Sequence, residues 1–132
     1  MKIDGKLLDT ITREAEASPR LRMNYDLRNS VEDGSQRMLN ALEPGTQLPI
    51  HRHRETSEVV AILRGAAVQY FYDDEGVLTE SITVRAGSDT AAMVIEKGRW
   101  HRIESLEHGT VILECKDGAY KPISDDDILK KI

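Results

Sequence analysis

The middle of the chain is a succession of short apolar runs broken roughly every ten residues by turn signals, and few architectures accept that pattern. The runs cover residues 36–42, 59–63, 66–72, 77–84, 91–95, 101–106 and 111–116. Arg64-Gly65 separates the second from the third, and Asp73-Asp74-Glu75-Gly76 reads as a hairpin turn before the fourth. Strands this short bury their apolar faces only by packing one sheet on another or closing into a barrel. Two helical segments are expected to flank them. Residues 4–17 place Leu7, Leu8, Ile11 and Ala15 at helical spacing, and Pro19 stops the pattern. Residues 124–132 read as a short C-terminal helix, with Ser124 as cap, aspartates at its positive end and Lys130 and Lys131 near its negative end. Residues 20–34 are polar and weakly patterned, an arm or a loop. The expectation is an all-β domain over residues 1–132: a helix and arm to residue 34, a barrel over 35–116 and a tail from 117.

The 132 residues suffice for one core without staples, and no internal repeat suggests a second domain. The formal net charge of -5 argues against nucleic acid and against an anionic membrane, both of which attract basic proteins. No apolar stretch approaches a membrane span, and the first ten residues lack a signal core. The single cysteine, Cys115, forms no intrachain disulfide and suits a reducing cytoplasm. A small-molecule ligand is the expected partner.

Chemistry concentrates in His51, His53, Glu58 and His101. A spacing of two puts His51 and His53 on one face of a strand. Glu58 follows across a short turn, and His101 arrives from a later strand. Three imidazoles and a carboxylate form a borderline-to-hard donor set for one divalent ion, with Fe, Mn, Zn and Ni all compatible. On an octahedral ion, four protein ligands leave two positions open, as a catalytic rather than a structural site requires. Iron would suit oxygenase chemistry; the others suit Lewis-acid chemistry such as isomerisation.

The spacing Gly45, His51, His53, Glu58, Gly65 resembles the first cupin motif at every fixed position. The second motif is matched by Gly98 and His101, with Glu96 where proline is usual and Ser105 where asparagine is usual. The resemblance implies a small cupin (double-stranded β-helix or jelly-roll) barrel with the metal inside. More narrowly, residues 18–25, 36–46 and 116–122 are similar to the WbuC-type cupins, which implies a metalloprotein linked to bacterial surface-polysaccharide biosynthesis. Its ligand would be a sugar or nucleotide-sugar derivative; a non-catalytic binding or sensor module and an iron-dependent dioxygenase are the alternatives. Arg22, Asn24, Tyr25, Arg37 and Asn40 lie in these segments and are expected ligand contacts, carried by an arm folded across the barrel mouth.

Other polar residues read more plainly. Arg52, Arg54, Arg99 and Arg102 belong to solvated faces, with Arg52 pointing away from its histidine neighbours. His108 reads as an exposed turn residue, Cys115 as a small core residue, and Trp100 as packing at the mouth. Glu96 and Tyr25 are candidate proton carriers. Val59, Ala61 and Leu63 alternate with Glu58, Val60 and Ile62, so both faces of that strand are apolar. The outer one predicts a homodimer.

Overall fold

A computed structural model describes residues 1–129. After the helix α1 (Gly5–Ala17), ten strands follow: β1 (Arg22–Asp26), β2 (Gln36–Leu42), β3 (Ile50–His51), β4 (Glu58–Arg64), β5 (Ala66–Tyr72), β6 (Leu78–Arg85), β7 (Ala92–Ile95), β8 (Trp100–Ser105), β9 (Thr110–Lys116) and β10 (Ile128–Leu129). They form two five-stranded sheets, ordered β1-β2-β9-β4-β7 and β10-β3-β8-β5-β6. All the pairings are antiparallel. This is the cupin jelly roll.

Alternation along each strand builds the core between the sheets. Leu42, Val60, Ile62, Ala67, Phe71, Val84, Met93, Ile95 and Ile112 meet there. The opposite face of β2 and β9 meets α1 in a second cluster of Leu8, Ile11, Ala15, Leu39, Ala41 and Val111. Helix α1 begins where Asp4 accepts a hydrogen bond from the Leu7 amide, and it buries Leu8, Ile11, Thr12 and Ala15, a one-sided stripe. It covers only part of its sheet. Val59, Leu63 and Val94, outward on β4 and β7, remain substantially exposed. No helix among the described residues is long and apolar enough to cross a membrane.

Two segments differ from expectation. The weakly patterned arm contains β1, whose Met23 and Tyr25 pack toward α1, while Arg22, Asn24 and Asp26 alternate with them toward the other face. The expected C-terminal helix is instead a single 3-10 turn, Asp125–Asp127, followed by β10. A helix so short has few bonds to set against its nucleation cost. Pairing Ile128 with His51 and Leu129 with Ile50 gives the short β3 a second neighbour. The end of that expected helix, residues 130–132, lies outside the described residues.

Candidate metal centre

The four expected ligands come together from both sheets. His51 lies on β3 and His101 on β8, directly opposite each other in register. Glu58 opens β4 in the other sheet, and His53 lies on the loop between β3 and β4. That loop is tied to the turn preceding His101, because the Gly98 amide donates to the His53 carbonyl at 2.7 Å. Gly98 has φ of +80°, a left-handed conformation that glycine adopts without strain. The turn holds its shape with Glu96 in the place of proline, the Arg99 amide donating to the Glu96 carbonyl at 3.3 Å.

The ring of His51 lies 4.3 Å from that of His101 and 5.1 Å from that of His53, between centroids. The four candidate donor atoms all lie within 4.8 Å of one another. Donors bound to one ion at 2.0–2.3 Å can stand no more than about 4.6 Å apart, so the cluster is already near coordination size. His51 Nδ1–H donates to the Pro49 carbonyl at 3.1 Å and His101 Nδ1–H to the Arg99 carbonyl at 2.8 Å. Each bond fixes the tautomer and leaves an Nε2 lone pair for the centre. Glu58 is 2% exposed. Its Oε1 lies 2.8 Å from His53 Nε2 and 3.4 Å from His101 Nε2. Among the described residues, no fixed N–H or O–H donates to either of its oxygens in good geometry. An orphaned buried carboxylate amid three imidazoles is costly unless a cation completes it, and the donor set fits a divalent metal.

Electrostatics follow from burial. The His51 imidazole is pushed down to about 3, by burial first and then by repulsion from His101. Burial would raise the Glu58 carboxyl, but the neighbouring Glu114, His101 and His53 side chains outweigh it and hold the group well below the carboxylate range. Glu114 is driven well above that range by burial and by the bond and charge of Glu58. Glu114 is therefore the carboxyl that favours its neutral form beside an ionised Glu58, the division expected when two carboxyls share a buried site. Asn40 Nδ2 donates to Glu114 Oε1 at 2.8 Å.

The sequence pattern alone does not single out Glu114. Its signal was parity: in a run of apolar residues, Glu114 shares the inward face of β9 with Ile112. Among the expected ligand contacts, Asn40 joins this network and Asn24 pairs with it in register, while Arg22 donates to the Gln47 carbonyl at 3.0 Å. Arg37 shares the outward parity of Leu39 and Ala41 and is bound to Asp33 at 2.6 Å. Tyr25 packs on the α1 side. Neither reaches the histidines.

Arg52 turns away from the centre, stacks 4.3 Å over Trp100 and, with Arg54, binds Asp127. Trp100 lies on the outer face and donates to Asp74. Arg99 caps the Phe71 ring at 3.6 Å and binds Glu80, and Arg102 binds Glu104. Glu96 is exposed beside Arg99. His108 is exposed, but its Nδ1 bonds the buried Glu43. Cys115 is half-buried opposite Val59, on the face away from the site, rather than in the core.

Fold and cluster together define a jelly-roll barrel of the cupin fold with a candidate metal centre between its sheets. The chain belongs to the family described as Domain of unknown function (DUF6016), whose model matches residues 3–84. No curated protein matches it. Among solved structures it is similar to oxalate oxidase in complex with the substrate analogue glycolate (18% identity, TM-score 0.64, covering 82% of this chain and 56% of that one). It is also similar to KdgF from Halomonas sp. (16%, TM-score 0.59, 83% and 84%). A third likeness is to the capsular polysaccharide assembling protein CapF from Staphylococcus aureus (21%, TM-score 0.64, 85% and 32%). The chain thus spans little more than half of the oxalate oxidase chain and about a third of CapF.

Proposed function

We propose that this protein is a divalent-metal-dependent cupin that takes a small oxygen-rich molecule, a sugar or nucleotide-sugar derivative, into the chamber between its sheets. One observation carries the metal reading: four donor atoms converge within 4.8 Å while both Glu58 oxygens lack a fixed hydrogen-bond donor. His51, His53, Glu58 and His101 would hold the ion, which when bound supplies Lewis-acid polarisation of a coordinated oxygen. Glu114 and Asn40 would keep Glu58 ionised and oriented. Asn24, Asn40 and Arg22, on the inward parity of β1 and β2, are the proposed ligand contacts that the strand geometry favours. The surface-polysaccharide link draws support from the WbuC-like segments and the likeness to CapF.

Whether chemistry follows binding turns on a proton carrier. Glu96 and Tyr25 lie away from the chamber, and Glu114 is committed to Glu58. This arrangement favours a binding or sensor module as the second reading. The test is elemental analysis after purification without a nickel column, followed by metal titration monitored by melting temperature. About one equivalent is expected, and ion at a hundred times its Kd should add about 2.7 kcal/mol of stability. Glu58→Ala and His101→Ala should abolish the shift. A native protein that carries no metal and melts unchanged with Mn, Fe, Co, Ni or Zn would overturn the reading. Product formation from candidate sugars would then separate enzyme from module.

A further inference from the structure

We propose that Lys116 is the anion-recognition residue of the chamber, so that its ligand carries an oxyanion, a carboxylate or a phosphate, beside the oxygen that meets the metal. This rests on the proposed metal site and specifies its substrate class.

The Lys116 side chain follows Ile112 and Glu114 along the inward face of β9 and stands opposite Glu58 in register. It is 8% exposed, rare for a lysine without a counter-ion. An open cavity of about 440 Å³ lies at this end of the barrel, and both His53 and Lys116 line it. The other cations around it each have an acidic partner: Arg52 and Arg54 share Asp127, and Lys121 lies 3.7 Å from Glu55. Asp117 is used as well, accepting from the Ser57 amide at 2.8 Å. Among the described residues, Lys116 forms no ion pair within 4.0 Å and no side-chain hydrogen bond.

Charge balance leads the same way. A divalent ion, Lys116 and the two arginines on the single Asp127 bring a net four positive charges to this end of the barrel, and Glu58, Glu114 and Asp117 bring at most three negative ones. The loaded site therefore retains a positive charge in a low-dielectric surround, where an anion is the stabilising guest. A lysine ammonium is a compact point charge with three donors, suited to a carboxylate or a phosphate without the planar fork that arginine imposes.

The experiment uses protein loaded with Co(II), whose visible spectrum reports exogenous ligands. Acetate, inorganic phosphate and neutral ethylene glycol are titrated against native protein, Lys116→Met and Lys116→Gln, with Co(II) affinity measured in parallel. At least one anion should bind native protein about tenfold or more tightly than the glycol. Both variants should lose that preference while holding Co(II) as native protein does. The anion that responds distinguishes carboxylate from phosphate. Native protein that discriminates against neither neutral nor anionic probe, or variants that keep the anion preference, would overturn the assignment. Should both variants fail to fold, native protein without an anion preference would still overturn the assignment. Failure to take up Co(II) at all would instead refute the metal reading on which it stands.

Discussion

Replacing Gly65 by alanine should destabilise the barrel by about 3 kcal/mol, and the structure separates that cost into two parts. Gly65 links β4 to β5 with φ of +81°. A side chain in the left-handed region costs about 1–2 kcal/mol by itself. The added Cβ would also lie 2.4 Å from Thr110 Oγ1 and 2.8 Å from Thr110 Cα. Thr110 is fully buried, and its hydroxyl bonds the Ala66 and Glu107 carbonyls, so it has nowhere to turn. Its backbone belongs to β9, which pairs with both β2 and β4. Overpacking of this kind costs about 1–3 kcal/mol. At about 2.1 cal/mol/K of unfolding entropy per residue, 3 kcal/mol lowers Tm by about 10 °C. Gly98→Ala is the control. Its φ is nearly the same, but nothing lies within 4 Å of the added Cβ, so it should lose about 5 °C. Calorimetric melts of the metal-free proteins measure both. Adding Thr110→Ala to Gly65→Ala removes the nearest atom but leaves the clash with the β9 backbone, so recovery should be partial. Equal losses at Gly65 and Gly98 would refute the close-approach argument.

Acid should weaken the metal-free protein through His51. Its folded pKa of about 3 lies below the ordinary 6.5, so the unfolded chain takes the proton first; the contribution is full above about 6.5 and drains as pH falls toward 3. At about 1.4 kcal/mol per pH unit, moving to pH 5 costs about 2 kcal/mol, less some screening at the partly open mouth; urea titrations should show that loss reduced in His51→Leu, and an equal loss in native and variant would count against it. The exposed strip of Val59, Leu63 and Val94 beyond the reach of α1 leads us to expect a homodimer. Light scattering should give about twice 14.9 kDa, falling to the monomer mass in Val59→Glu/Val94→Glu; a native mass near that of one chain would reject it.

How far the sequence disclosed this molecule depends on whether a residue's environment is set locally. His51 and His53 announced themselves because alternation on one strand is a local rule, and Glu58 and His101 followed from fixed spacing. The longer strands were legible for the same reason. β3 and β10, two residues each, have no period to detect and exist only through pairing partners far along the chain. β1 does alternate, but in inverted sense: its apolar residues face the helix and its polar residues the opposite side. A rule that expects polar residues outside therefore reads it as loop.

The same inversion explains why Glu114 and Lys116 were invisible as functional residues. Polar side chains on the inward face of an apolar strand look like surface residues until both sheets are placed. Once the sheets close, Asn40, Glu114 and Glu58 stand as neighbours across β2, β9 and β4, beside the histidines of the other sheet. An ion held by Glu58 on one side and by His51 and His101 on the other would tie the two sheets together at the mouth, where β3 is shortest. Metal occupancy and closure of the barrel at that end are then one equilibrium. Stripping the metal should accordingly speed amide exchange at β3 and β10 more than in β5, whose pairing with β6 and β8 does not involve the ion. Uniform acceleration across all strands, or none at β3, would break that coupling.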